Sequence, residues 1–268
     1  MSVSTNIGTT TPDAISVRGL NLADDIIGKF DFVDMLCWLA LSRQPTASEK
    51  AMLNAVLVTA ADHGFTPSTL SARLTYLGAP ESLQGAVAAG LLGAGDRFLG
   101  TVQNVSEMLT QGAAGLGDGV PDDELRVRAQ ELVAQRRARG RSLPGIGHPI
   151  HTAGDPRVPV LLALSKAHGA YGRHWRLALA IPEVVRRDSG KTLHLNAAGA
   201  VGAILADMGM DPVFGRGLAL VGRTAGLVAH VLEERGNPIG QELWSLVLEQ
   251  DSRNVLPAKT STTSTQET

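Results

Sequence analysis

Apolar residues along this chain recur at helical spacing almost throughout, and no alternating apolar–polar run is long enough to predict a strand. An all-α fold is therefore expected. Thr46-Ala47-Ser48-Glu49 has the spacing of a capping box and precedes Met52, Leu53, Val56 and Leu57, which predicts a helix over 47–61 ending near His63-Gly64. Pro80-Glu81 opens a helix rich in Ala and Gly. Pro121-Asp122-Asp123-Glu124 starts another, with acidic residues at the positive end of the helix dipole, and Gly140 terminates it. Further helices are expected near 31–43, 67–77, 99–112, 158–168, 172–187, 194–209, 216–235 and 238–250.

A helical chain with 30 glycines needs a reason for them, since glycine inside a helix costs about 1 kcal/mol against alanine. Close helix packing is the expected reason, with Gly85, Gly90, Gly199 and Gly202 letting neighbouring backbones approach. Segments 1–11 and 254–268 carry few core-forming residues and are expected to be disordered tails.

The 268 residues suffice for one large domain or two modest ones, and the formal net charge of −2 supplies no global field to attract nucleic acid or an anionic membrane. Apolar runs such as Gly85 to Gly95 fall short of the roughly 20 residues that a membrane span requires. The single cysteine, Cys37, permits no intrachain disulfide, and the N-terminus lacks the regions of a signal peptide. A soluble, cytoplasmic protein is expected.

One stretch stands apart from the helical pattern. Leu143-Pro144-Gly145-Ile146-Gly147-His148-Pro149 and the following residues to Arg157 include three prolines and three glycines, so His148 and Arg157 are presented from a shaped loop. Loops on a rigid scaffold are where binding and catalytic groups concentrate. His148 and His151 lie three apart without a helix to align them, and no carboxylate or cysteine set completes a metal geometry, so no metal site is expected. Gly145-Ile146-Gly147 lacks the third glycine of a dinucleotide fingerprint. Arg136-Arg137-Ala138-Arg139 suits a helix C-terminus facing solvent.

Over about residues 14–250 the chain resembles the citrate synthase superfamily, in its short citryl-CoA-lyase-like branch. The resemblance is carried by Gly-Ile-Gly-His148-Pro with Asp155-Pro156-Arg157, by Ala61-Asp62-His63-Gly64, by Leu195-Asn196-Ala197-Ala198-Gly199, and by Gly222-Arg223-Thr224-Ala225-Gly226 before Glu233-Glu234. It implies a large helical domain with a smaller inserted helical domain, here 12–109 and 216–253 around 110–215, and a homodimer. It also implies Claisen chemistry between an acyl-CoA and a 2-oxo acid, with CoA as substrate or product and no permanently bound cofactor. By the same resemblance His148 and His63 are catalytic, Arg157 and Arg223 bind the carboxylic acid, and Leu143, Pro144, Gly145, Ile146 and Gly147 lie against CoA. Two guanidinium groups suit a polycarboxylate, and a histidine donor suits a carbonyl that becomes an alkoxide.

Three departures from the family pattern are visible. Phe98 stands in Gly95-Asp96-Arg97-Phe98-Leu99-Gly100 where synthases have a histidine for the thioester enolate, and Ala198 stands where they have the aspartate that moves the acetyl proton. Asn237 replaces an arginine supplied to the partner subunit, with Arg235 close by. His194 flanks the lost aspartate and is a possible relocated donor. The carboxylate side is thus retained and the enolate side altered. This favours a lyase cleaving a citryl-CoA-like substrate to acetyl-CoA and an oxo acid such as oxaloacetate. The alternative is a homologue that binds the acid or thioester without synthase turnover; a plain helical scaffold is a third reading. His230 is expected to be a structural histidine and Cys37 a core residue.

Overall fold

A computed structural model describes residues 3–257. The chain opens on a small antiparallel sheet in the order β1 (Gly8–Thr10), β2 (Ile15–Val17), β3 (Leu20–Asn21), which pairs Thr9 with Ser16 and Val17 with Leu20. Strands of two or three residues are too short to leave an alternation in the sequence. They correct the expectation of a structureless segment reaching residue 11 and leave the all-α class intact. Arg18 (φ 50°) and Gly19 (φ 87°) both adopt left-handed backbone, as a two-residue hairpin turn requires. A single π turn at Leu22–Ile26 follows.

Eleven α-helices make up the rest of the regular structure among the described residues: α1 (Phe32–Leu41), α2 (Ala47–Ala61), α3 (Pro67–Gly78), α4 (Leu83–Phe98), α5 (Gly100–Gly112), α6 (Asp122–Ala138), α7 (Arg157–Ala167), α8 (Arg173–Ser189), α9 (Ala197–Asp207), α10 (Pro212–Gly236) and α11 (Gly240–Gln250). The expected capping box at Thr46 and Glu49 is formed in both directions and starts α2. The sheet is fastened to α1: Trp38 Nε1 donates to the Val17 carbonyl at 2.9 Å, and the Arg18 guanidinium donates to the Leu39 carbonyl. No described helix is long and apolar enough to cross a membrane.

The chain divides into two compact units, one of residues up to 63 with 94–226, the other of 64–93 with residues from 227 on. These boundaries differ from the 12–109, 110–215 and 216–253 division expected above. One of them falls inside the helix α10, and another inside α4 beside its kink at Gly95. Asn254, expected in the C-terminal tail, donates through Nδ2 to the Leu248 carbonyl at 2.9 Å; residues 258–268 lie outside the described part.

In the first unit α5 packs on α9, α9 on α8, and α8 on α6. Helix α9 reads Ala-Ala-Gly-Ala-Val-Gly-Ala-Ile-Leu-Ala-Asp and is buried on nearly every side, which small residues permit. A Cβ at Gly202 would lie 2.5 Å from Val105 Cγ1 and 3.1 Å from the backbone nitrogen of Ser106, so this glycine does allow close packing. Gly85 does not: its Cβ would meet only Ser82, the residue just ahead of its own helix. Asp207 at the end of α9 accepts the amides of Gly172, His174 and Trp175, and so caps α8 from outside that helix's own sequence.

The second unit has a small core of Ala72, Ala86, Leu227 and Val231. Arg73, 1% exposed, bonds Glu234 at 2.8 Å, Glu233, and His230 Nδ1, while the other oxygen of Glu234 caps α11 by accepting the amides of Ile239 and Gly240. His230 is thus held in a structural network beside Phe65.

Candidate active site

The loop after α6 is shaped by two left-handed glycines, Gly145 (φ 79°) and Gly147 (φ 82°). At Gly145 a Cβ would lie 2.6 Å from Gly199 Cα, so the loop is pressed backbone to backbone onto the first turn of α9. It is laced there by an antiparallel bridge between Ile146 and Leu195. Gly147 N donates to the His194 carbonyl (2.7 Å), Asn196 N to Gly145 (2.9 Å) and Asn196 Nδ2 to Gly147 (2.7 Å). Residues 194–196 belong to this lacing rather than to the helix expected from 194. Asn196 is also the N-cap of α9 through its bond from Gly199 N.

His148 leaves this loop with its tautomer fixed. Its Nδ1 accepts the amides of Ile150 (3.1 Å) and His151 (3.0 Å), so the ring proton sits on Nε2 and the side chain is a hydrogen-bond donor. Burial, joined by the charges of His151, His63 and Arg157, pushes its pKa below the usual histidine value. A neutral imidazole with Nε2–H is the result.

Arg157, at the start of α7, is aimed by Asp155. That carboxylate accepts Arg157 Nε (2.9 Å), Arg157 Nη2 (2.8 Å) and the Arg157 and Ala197 amides. Burial alone would raise this carboxyl, but the bonds from Arg157 and Ala197 outweigh it and hold it well below the ordinary carboxylate range. Asp155 therefore ties α7, α9 and a cation together. Nη1 of Arg157 carries none of these bonds.

His63 lies just past the end of α2, and Arg223 on α10 is brought to it by glycines. A Cβ at Gly222 would lie 2.5 Å from the Leu57 carbonyl oxygen, and one at Gly226 would collide with that of Ala61. Only glycine at both positions lets α10 run against this end of α2. Arg223 is 8% exposed, and its Nε and Nη1 are buried without a hydrogen-bond partner. Burial pushes its pKa down, with Asp62 opposing and Arg157 adding to the effect. His63 is likewise lowered by burial, then by Arg157, His151 and Arg223, against Asp155.

These placements gather His63, His148, Arg157 and Arg223 within one unit, close enough for their charges to act on one another. His151, left out by the sequence reading, completes the cluster. Its Nε2 lies 3.3 Å from His63 Nε2, and its ring stacks on His148 at 4.5 Å between centroids. A loop turn, not a helix, aligns 148 with 151, so no spacing rule points to it. Asp155, Asn196 and the two α10 glycines were also missed as site-forming residues.

One imidazole nitrogen from each histidine lies within 4.8 Å of the others, a spacing a metal ion could use. The chemistry argues otherwise. His148 cannot offer Nε2 as a lone pair while Nδ1 accepts two amides, and two guanidinium groups bias the site toward an anion. Ala198 is in the first turn of α9, packed on the core, while Phe98 is 47% exposed just beyond the kink at Gly95 (φ 51°).

Residues 18–243 match the family described as citrate synthase, C-terminal domain. Citryl-CoA lyase from Hydrogenobacter thermophilus is similar in structure, with a TM-score of 0.78, 29% identity and 96% of each chain covered. ATP citrate lyase from Methanosaeta concilii shares the fold at a TM-score of 0.74 and 21% identity, over 97% of this chain and 42% of that one. Among curated proteins, the probable ATP-citrate synthase of Dictyostelium discoideum is 26% identical over 85% of this chain and 38% of its own length. Putative citrate synthase 2 of Mycobacterium tuberculosis is 28% identical over 72% and 49%. The chain spans less than half the length of these two curated relatives. Its helical fold and its family match agree, and the chain belongs to the citrate synthase family.

Proposed function

We propose that this protein is a citryl-CoA-lyase-type enzyme that cleaves a 3-hydroxy-3-carboxyacyl-CoA to acetyl-CoA and a 2-oxo acid such as oxaloacetate. The observation that carries the reading is Arg223, a buried cation with two donor nitrogens, Nε and Nη1, unmatched by the protein. Leaving such donors unsatisfied is costly, and a carboxylate ligand would satisfy them. Arg157 Nη1 is the second carboxylate contact. His148 Nε2–H donates to the hydroxyl oxygen and stabilises the alkoxide as the carbon–carbon bond opens. The Leu143–Gly147 backbone lies against CoA. The likeness to the citryl-CoA lyase over 96% of both chains supports this direction.

The enzyme acts in the cytoplasm as a homodimer, a reading supported by the free, buried Cys37 and by the exposed apolar residues of α11. A second reading, binding of the acid or thioester without turnover, is favoured by Ala198 and Phe98, neither of which can carry a proton at neutral pH. Incubating the purified protein with citryl-CoA and following acetyl-CoA separates the two. Formation of acetyl-CoA supports the lyase. Binding of citrate or oxaloacetate without any cleavage supports the silent homologue.

A further inference from the structure

The alkoxide route needs a base for the hydroxyl proton, and the site has few lone pairs to offer one. His148 is excluded, because its Nδ1 lone pair is held by two backbone amides and its Nε2 carries the proton. Arg157 and Arg223 are donors only. Asp155 is occupied by four hydrogen bonds from Arg157 and Ala197. The Asp62 carboxylate acts on Arg223. Among the imidazoles of the cluster, the His63–His151 contact offers the lone pair, with its two Nε2 atoms 3.3 Å apart. In the neutral state one of these atoms must carry a hydrogen and the other a lone pair.

We propose that His63 and His151 form a proton-sharing imidazole pair that accepts the substrate's hydroxyl proton and stores it for the departing enolate. The inference rests on the lyase reading above. The N–H···N contact between the two rings opens, the hydroxyl O–H bond breaks, and its proton passes to the Nε2 lone pair so released. The alkoxide electrons form the new carbonyl as the carbon–carbon bond breaks, and that bond's electron pair becomes the thioester enolate. The stored proton then leaves the pair for the enolate carbon, directly or through water, and completes the acetyl methyl group. No proton is gained or lost overall. The pair thereby supplies the proton that the alanine at 198 cannot. Burial, then the charges of Arg157, His151 and Arg223, push the His63 pKa down against Asp155, which favours a lone pair on that ring. An anionic ligand that neutralises the two arginines makes the pair a better base once substrate is bound.

The test uses the full-length protein with citryl-CoA, and measures kcat and KM over about pH 5 to 8 for the wild type, His151→Gln, His63→Gln and the double variant. The wild type is expected to show kcat rising with pH as the pair loses its extra proton. Each single variant should lose about 100-fold or more in kcat, with a much smaller change in KM, and should lose that rising limb. Because the two rings act as a unit, the double variant should be no slower than the slower single one. His151 stands on a loop and His63 beyond a helix end, so the two variants perturb different elements; circular dichroism checks that each is folded. A His151→Gln enzyme that keeps its kcat within about threefold and retains the limb overturns the pair, as does a double variant whose loss is the product of the two singles. A wild type that yields no acetyl-CoA at any pH overturns the lyase reading itself, and the pair with it.

Discussion

Arg223 shows how one residue can be chosen against stability. A guanidinium that is 8% exposed and has no protein partner for Nε and Nη1 carries a desolvation cost that those two atoms do not recover from the fold. The expected outcome of Arg223→Met follows from that asymmetry. The melting temperature should hold or rise by a few degrees, while affinity for citrate falls by about 100-fold or more, since a buried charge-assisted contact is worth about 2–5 kcal/mol. Thermal denaturation and calorimetric titration check the two halves separately. A melting temperature lowered by several degrees would mean that the cation is well satisfied without a ligand. Asp155 is the opposite case: its oxygens are matched by Arg157 and Ala197, and it stabilises what it orients. The sequence made His148, Arg157, His63 and Arg223 legible through motif spacing. It hid His151 and Asp155, whose roles arise from a turn and from a carboxylate facing two elements.

At the scale of elements, glycine has two different effects in helices of the same composition. Gly202 in α9 is the point where the helix touches α5, and an added Cβ there would meet Val105 and the Ser106 backbone. Gly217 in α10 has nothing within 4 Å of its would-be Cβ. Gly202→Ala gains the usual helix preference of about 1 kcal/mol but must displace backbone, at a cost of about 1–3 kcal/mol for overpacking. Net destabilisation is expected. Gly217→Ala should instead stabilise by about 0.5–1 kcal/mol. Denaturant melts of the two variants settle the contrast, and equal shifts of the same sign would remove the packing argument for α9. Helix positions were readable from capping boxes, prolines and apolar spacing, as at Thr46 and Pro67. The three short strands were not, for they draw on hydrogen bonding with α1 rather than on any pattern of their own. The cap of α8 was equally hidden, since Asp207 lies more than thirty residues downstream.

For the molecule as a whole, the unit boundary inside α10 means that one helix belongs to two compact bodies, something composition cannot reveal, while the boundary in α4 falls beside its kink at Gly95. The second unit has a small core, yet its helix α11 leaves Trp244 54% and Val247 67% exposed. Trp244 and Val247 are three residues apart and so share a helix face. Large apolar side chains grouped on one face of a small unit mark a protein interface more often than a water-facing surface. A second copy of the chain is the expected occupant, in line with the homodimer proposed above. Light scattering on the purified protein should give twice the monomer mass of 28.1 kDa. Trp244→Asp with Val247→Asp should halve it, because two desolvated carboxylates would be placed at the centre of a two-fold contact and each would meet its own copy or a near neighbour. The site cluster lies in the other unit, so citrate binding by the double variant separates an interface that only assembles the protein from one that completes the pocket. Retained binding by a monomer means that His63, His148, Arg157 and Arg223 suffice within one chain. Lost binding means that a group from the second copy is required, in the place where this chain carries Asn237. A wild type that already runs as a monomer refutes the assignment of this face.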